Sequence, residues 1–225
     1  MNQIAVLPRA SFRLLRRKLV LGTLATMLAL GGAILMGEGL YIKAKASLAQ
    51  VLLERAWERT LEGDEQVKPW AWADTWPVAR IEVPRLKAST IVLNGVSGQA
   101  MAFGPGLMIA GPQPGDPGLA VISAHRDTHF RFLKDIEIGD QVRVTTAAGA
   151  AHVFEITETR IVEAAASGLS FTQDEPLIAL VTCWPFEALQ QGSKRFVAIG
   201  APVRMGPSDT RLPSNQAITK PGTAS

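Results

Sequence analysis

The chain has 225 residues, of which 47% are hydrophobic, enough for one folded domain with an appendage. Its formal net charge is +3, but five of the 23 Lys and Arg residues lie in residues 1–18 and all 20 acidic residues follow them. The remainder carries 18 basic against 20 acidic residues, which gives no electrostatic case for binding nucleic acid.

An uncharged apolar stretch occupies residues 19–37 (LVLGTLATMLALGGAILMG). About 20 such residues span a bilayer as a helix. Five basic residues precede the stretch and no acidic residue does. The positive-inside rule therefore predicts a cytoplasmic basic stub at residues 1–18, a transmembrane anchor at 19–37, and an exported remainder after Glu38.

A cleaved signal peptide is the competing interpretation of this region. Ala44-Lys45-Ala46 resembles a small-x-small cleavage site. However, the apolar stretch exceeds the roughly 7–15 residues of a signal-peptide core, and the site lies well beyond its end. An uncleaved anchor is the favoured prediction.

Residues 38–77 are expected to be a juxtamembrane helix followed by a linker. Apolar residues recur at helical spacing up to Trp57, which predicts a helix over about residues 39–62. Gly63-Asp64 ends it, and the linker contains Trp70, Trp72 and Trp76. Packing of these tryptophans on the following domain is favoured over a place at the membrane interface.

Short strands punctuated by Gly and Pro begin at Val78. The pattern predicts strands near 79–83, 90–93, 119–123, 141–145, 152–161, 177–183 and 194–203, and a short helix near 97–103. Such a series indicates an antiparallel barrel or sandwich over residues 78–204. Residues 205–225 are rich in Pro, Ser, Thr and Gly without periodicity, and are predicted to be a disordered tail.

Three chemically capable residues stand at strand ends. Cys183, the only cysteine, closes the apolar run 177–181, and His125 follows the apolar strand 119–123. Arg195 opens the last strand. A lone cysteine cannot form an internal disulfide, so in an exported protein it is either buried and inert or present for its reactivity. An arginine in this position is by itself more typical of a solvated charge.

The three residue types suit acyl transfer through a thiol. A thiol with a pKa of about 8.5 needs help from a nearby cation to become a thiolate nucleophile. Histidine can carry protons near neutral pH. Arginine stays charged and offers five donors in a fixed fork, which suits a developing oxyanion.

These segments resemble the sortases, cysteine transpeptidases of bacterial envelopes. Ala179-Leu-Val-Thr-Cys183 matches the family's Thr-Leu-x-Thr-Cys except at Ala179, and Ser123-Ala-His125-Arg126 keeps the frame of its histidine segment with Ala124 in place of glycine. Lys194-Arg195-Phe196 stands where the family's arginine opens a strand. The resemblance covers about residues 78–203 and looks nearest to the branch of Gram-negative proteobacteria. Further similar blocks are 79–84, 103–106, 114–118 and 138–140.

The resemblance implies a mainly β fold, a closed sortase-like β-barrel of about eight strands with short helices, preceded by the transmembrane helix. It implies a single-pass protein of the bacterial inner (cell) membrane whose catalytic domain is periplasmic or extracytoplasmic. Cys183 would be the nucleophile, His125 the proton carrier and Arg195 the oxyanion donor. Thr182, Trp184 and His129 are candidate substrate-binding residues.

The implied partners are a substrate protein with a C-terminal Leu-Pro-x-Thr-Gly-like sorting signal and an amine acceptor in the envelope. The implied reaction passes through a thioacyl-enzyme and needs no cofactor or metal.

Other interpretations are weaker. His125 and His129 are spaced i, i+4 as in a zinc helix, but Arg126 replaces the glutamate of His-Glu-x-x-His and the segment looks like a loop. The L,D-transpeptidases share the chemistry but carry a Ser-x-Gly-Cys-x-Arg type motif. A non-catalytic, membrane-tethered barrel acting as a binding or scaffold module, with Cys183 in its core, is the third alternative.

Overall fold

A single long helix dominates the N-terminal part of the computed structural model, which describes residues 9–188, 190 and 192–203. Helix α1 runs over Arg9–Leu61, and its part from Lys18 to Leu61 is long and apolar enough to cross a membrane. The helix confirms that the apolar stretch and the segment after it are helical. The predictions for residues 1–8 and for the tail 205–225 lie outside the described residues.

The chain divides into two units, one ending at Leu52 and one beginning at Leu53. In the first, the large apolar side chains of the helix are exposed, for example Leu28 at 69% and Leu35 at 71%. An apolar helix surface left open to solvent is typical of a segment that meets lipid rather than a protein core.

The second unit is a closed barrel of eight strands, as the resemblance to the sortases implies. The strands neighbour one another in the order β1-β2-β3-β4-β7-β8-β6-β5, and pairing of β1 with β5 closes the ring. Their bounds are β1 Pro77–Val83, β2 Ala88–Asn94, β3 Gly106–Leu107, β4 Gly118–Ser123, β5 Gln141–Thr146, β6 Ala151–Glu163, β7 Pro176–Cys183 and β8 Lys194–Pro202.

Most strand pairs are antiparallel, but β2–β3 and β4–β7 are parallel. The helices of this unit are short: α2 spans Gly98–Phe103, and two 3-10 helices span Pro84–Leu86 and Arg131–Asp135. The side chain of Ser97 caps α2 by accepting a hydrogen bond from the amide of Ala100 at 3.0 Å.

The two-residue strand β3 is not predicted by the sequence pattern. It is too short to show an alternation of apolar and polar residues, and its place depends on a close approach of backbones. A Cβ on Gly106 would lie 2.1 Å from the carbonyl oxygen of Gly95, so only glycine fits there.

The barrel interior is filled by apolar side chains. The central cluster takes every second residue from the strands, including Ile122, Phe154, Ile178, Leu180 and Ala198, all 1% exposed or less. Eight strands enclose just enough space for such a filling. The interior is therefore a packed core, and chemistry must take place on the outside or at an end.

The segment before the barrel packs on it in part. Trp57, on the last turns of α1, shares a buried cluster with Ile91 and Leu93 of β2. Trp70 meets the ring of Phe103 edge-on, with 4.7 Å between centroids, and Trp76 packs against the central cluster. Trp72 is 83% exposed, so packing on the domain holds for two of the three linker tryptophans.

Asp140 carries the main buried ion pair of the described part. Its side chain is 4% exposed, its Oδ2 accepts hydrogen bonds from Nη2 of Arg85 at 2.7 Å and from the amide of Glu137 at 2.8 Å, and its Oδ1 accepts from Nε of Arg85. The hydrogen bonds from Arg85, and more weakly the one from Glu137, hold the pKa of Asp140 below its ordinary value of 3.8 against the opposing effect of burial.

We expect this pair to make the barrel acid-sensitive. A carboxyl whose pKa is lowered by folding stabilises the fold above its unfolded pKa of about 4, and the contribution is lost as pH falls through the lower folded pKa. Asp140→Asn should lower Tm at pH 7 by an amount on the order of a few °C and flatten the Tm–pH curve below about pH 4. Thermal unfolding of the full chain in detergent between pH 3 and 7 measures both. An unchanged curve would contradict this role, and the exposed Asp116→Asn serves as the control.

Candidate active site

Three neighbouring strands bring the predicted site residues to one end of the barrel. Cys183 is the last residue of β7, and it lies directly opposite Arg195 in the antiparallel β7–β8 ladder. The parallel β4–β7 ladder pairs Ser123 with Val181, so His125 and Cys183, each two residues further along, come next to each other. The cysteine, histidine and arginine positions therefore adjoin, although 70 residues of sequence separate His125 from Arg195.

Two hydrogen bonds hold the histidine segment against the cysteine strand. The amide of Ala124 donates to the carbonyl of Val181 at 3.2 Å, which continues the ladder past the end of β4. The hydroxyl of Thr182 donates to the carbonyl of Ala124 at 2.7 Å. Both bonds involve Ala124, which directly precedes His125, and the second also involves Thr182, which directly precedes Cys183. They therefore fix His125 and Cys183 relative to each other.

The parity of the strands places the site on the outer face of the barrel. Ile178, Leu180 and the buried Thr182 point inward, whereas Ala179 belongs to a second apolar cluster on the outer side. Side chains alternate along a strand, so Cys183 continues the outer row of β7 and Arg195 continues that of β8. Cys183 is partly exposed, as a reactive thiol must be.

Loops cover the outer apolar row further along the strands. Leu169 and Phe171 of the β6–β7 loop and Met108 of the β3–β4 connection pack on the outer cluster. The outward-facing apolar side chains of β7 therefore form a surface that begins under these loops and ends at the thiol of Cys183. This arrangement suits an extended peptide lying on the outer face.

Arg195 is partly anchored by the backbone. Its Nη1 donates to the carbonyls of Gly192 at 2.8 Å and Lys194 at 2.9 Å. Within the part of the chain that the structure describes, Nε and Nη2 have no partner. A guanidinium held on one side by the backbone can offer its remaining donors to a substrate oxygen.

His129 lies close enough to His125 to interact with it electrostatically. Burial, and secondly the nearby His125, lower the pKa of His129 below its ordinary value of 6.5, while an interaction with the backbone of Ala102 opposes the shift. His129 is therefore neutral at neutral pH. The segment that contains both histidines is a series of turns and not a helix, which disfavours a zinc-helix interpretation. Among the described residues, no group of three or more His, Cys, Asp and Glu could hold a metal.

Trp184 and Thr182 have structural contacts of their own. The Trp184 ring stacks on Phe196 with 6.2 Å between centroids and meets Phe186 edge-on at 5.4 Å. Thr182 is 2% exposed and bonded to Ala124. For these two residues and for His129, the substrate-binding role stays a prediction.

Sequence reasoning did not find the contacts of Arg126. Its Nη2 donates to the carbonyl of Ala188 and, at 3.0 Å, to that of Gln190, both in the loop that connects β7 to β8. The only available signal was the position of Arg126 directly after His125. That position does not indicate a partner more than 60 residues away.

We expect the hydroxyl of Thr182 to be needed for the geometry of the site. Thr182→Val keeps the shape but removes the donor to the buried Ala124 carbonyl, which costs about 1–3 kcal/mol. Thr182→Ser should restore most of the loss, because it keeps the hydroxyl. Urea unfolding of the full chain in detergent measures the difference. Equal stability of the Val and Ser variants would contradict this assignment.

Comparison with known proteins supports the resemblance seen in the sequence. The family model described as Sortase domain matches residues 81–203. Sortase D of Bacillus subtilis (strain 168) is 31% identical over 121 residues, which are 53% of this chain and 61% of that protein. The chain thus spans less than two thirds of that relative's length.

Solved structures share the barrel. Sortase C-1 from Actinomyces oris is 26% identical with a TM-score of 0.52, covering 57% of this chain and 74% of that chain. A sortase D5 transpeptidase from Clostridium perfringens is 20% identical with a TM-score of 0.56, covering 70% of this chain and 99% of that chain, and this likeness shows the fold. The resemblance to the proteobacterial branch stays a prediction. Because the family model covers more than half of the chain and reaches from β1 past the end of β8, this protein belongs to the sortase family.

Proposed function

We propose that this protein is a membrane-anchored cysteine transpeptidase that cleaves a C-terminal Leu-Pro-x-Thr-Gly-like sorting signal and transfers the substrate protein to an amine acceptor of the envelope. The observation that carries the proposal is the meeting of Cys183, His125 and Arg195 at the adjacent ends of β7, β4 and β8. Membership of the sortase family favours this reaction over an L,D-transpeptidase-like one.

In the first step, the thiolate of Cys183 attacks the carbonyl carbon of the bond between the Thr and Gly positions of the signal. The carbonyl oxygen becomes an oxyanion, and the remaining donors of Arg195 stabilise it. The C–N bond then breaks as protonated His125 gives its proton to the leaving amine. A thioester between Cys183 and the substrate protein remains.

In the second step, the acceptor amine attacks the thioester carbonyl. Neutral His125 takes the proton of the incoming amine, the oxyanion forms again beside Arg195, and the C–S bond breaks to return the thiolate. A new amide joins substrate and acceptor, and no redox partner is consumed. The outer face supports such a reaction because both the signal and the acceptor can reach it from solvent.

A non-catalytic scaffold is the alternative from a different functional class. It requires only that Cys183 be a core residue. The partial exposure of Cys183 favours a reactive role. Alkylation separates the two cases, because a core thiol stays unmodified by iodoacetamide while a catalytic one reacts and activity disappears.

We predict distinct losses for three substitutions, measured as transfer of a fluorescent Leu-Pro-x-Thr-Gly-type peptide to hydroxylamine by the full chain in detergent. Cys183→Ala should form no thioester, as seen by mass spectrometry. Arg195→Lys keeps the charge but loses the planar fork, and should lower transfer about 10²–10³-fold. His125→Ala should lower transfer by at least about 10²-fold.

Matched variants control for general damage. Arg160→Lys makes the same change on the neighbouring strand β6, and His152→Gln alters another histidine of the barrel, so both should keep transfer near the wild-type rate. Alkylation of Cys183 should persist in Arg195→Lys. Near wild-type transfer by Arg195→Lys would refute the oxyanion role, and near wild-type transfer by His125→Ala would refute the Cys–His mechanism.

The anchor belongs to the same proposal. We propose that residues 19–37 remain attached, with residues 1–18 in the cytoplasm and the barrel outside it. Since Cys183 is the only cysteine, a membrane-impermeant maleimide applied to intact spheroplasts should label it, and Cys183→Ala is the blank. Released soluble protein beginning near Ser47 would contradict the anchor, and labelling only after lysis would contradict the orientation.

A further inference from the structure

Two arginines bind carbonyl groups of the β7–β8 loop, which the structure describes at residues 184–188, 190, 192 and 193. Arg126 donates to the carbonyls of Ala188 and Gln190 from the side of the histidine segment. Arg195 donates to the carbonyl of Gly192 from the side of β8. This loop connects the cysteine strand to the arginine strand, so its position bears on both ends of the site.

The guanidinium group of Arg126 is partly buried and is not fully exposed to solvent. One of its nitrogens, Nη1, is buried and has no hydrogen-bond partner among the described residues. The burial of this nitrogen shows that part of the guanidinium packs against the protein and is not a fully solvated charge. The side chain follows directly after His125, so the bonds it makes extend from the histidine turn to the loop.

We propose that Arg126 is a positioning residue for acyl transfer. It fixes the β7–β8 loop against the histidine turn and, through the Gly192 carbonyl, sets the orientation of Arg195. The kinetic part of this inference rests on the proposed function. Three contacts support this inference: His125 precedes Arg126, Arg126 binds the loop at Ala188 and Gln190, and Arg195 binds the loop at Gly192.

Arginine suits this task better than lysine. The guanidinium presents several donors in one rigid plane, so a single side chain can hold two carbonyls in a set relation. An ammonium on a flexible stem is a point charge and fixes neither direction nor spacing. Arg126→Lys should therefore keep the charge and lose much of the positioning.

The first experiment tests the contact without catalysis. Amide hydrogen exchange of the full chain in detergent is followed by mass spectrometry for residues 184–193. Arg126→Gln should speed exchange in this loop about 10-fold or more, while leaving β4 and β7 protected. The control Arg131→Gln removes the same charge from an exposed residue five positions away and should leave the loop unchanged. Unchanged exchange in Arg126→Gln would overturn the proposal whatever the activity.

The second experiment tests the connection to Arg195 by a double-mutant cycle. With the fluorescent peptide and hydroxylamine, Arg126→Gln should lower kcat/KM about 10–100-fold and Arg126→Lys about 3–10-fold. Once Arg195 is Lys, adding Arg126→Gln should cost less than about 3-fold more, because the side chain it positions is gone. Arg131→Gln should have no effect in either background.

The outcomes separate a positioning role from a merely structural one. Losses that multiply in the double variant would overturn the connection to Arg195, and so would a wild-type kcat/KM for Arg126→Gln. If Arg126→Gln does not fold, Arg126→Lys replaces it in both experiments, and wild-type behaviour of that variant overturns the proposal. If wild-type protein forms no thioester at Cys183, the proposed function fails, whereas the exchange experiment still decides whether Arg126 holds the loop.

Discussion

The parallel pairing of β4 with β7 is the constraint on which the site depends. Parallel neighbours end at the same edge, so His125 and Cys183 emerge together although the whole β5–β6 hairpin lies between them in sequence. The hydrogen bonds of Ala124 to Val181 and Thr182 extend this pairing to the last residue before each of them. A slip of one residue in this register would turn Cys183 into the core and expose Thr182.

The packed interior explains why the site lies outside. Buried side chains such as Phe154, Ile178 and Leu180 occupy the barrel interior, which leaves the outer face and the ends for a substrate. Cys183, the proposed nucleophile, lies in the outward-facing row of β7, where a flat strand surface offers little specificity on its own. Loops must supply the walls, and Leu169 and Phe171 of the β6–β7 loop already lie on the outer apolar row. The same strand is apolar on both faces because a core lies beneath it and loops lie above it.

The burial of β7 on both faces is the feature that the sequence indicates most clearly. The continuous apolar run 177–181 predicts β7, and alternation or turn residues predict the other long strands nearly to their observed ends. The positions of Cys183, His125 and Arg195 at strand ends were also predictable, because each polar residue terminates or opens such a run, while their catalytic roles stay a prediction. The ring order, the two-residue β3 and the inward bond of Thr182 were not, since they depend on contacts between segments distant in sequence. The family pattern, and not periodicity, singled out Arg195 from other charges at strand ends.

Arg126 illustrates the limit of this reasoning and the physical problem that loops pose. A loop without regular structure leaves carbonyl groups unpaired, and each must find a donor if the loop is to hold one position. Here donors come from side chains that flank the two ends of the site, Arg126 beside His125 and Arg195 opposite Cys183. Under our proposal, the position of the loop carbonyls and the geometry of the site thus depend on the same two guanidinium groups. A change in loop sequence that moved its carbonyls would therefore act on Arg195 without touching a substrate.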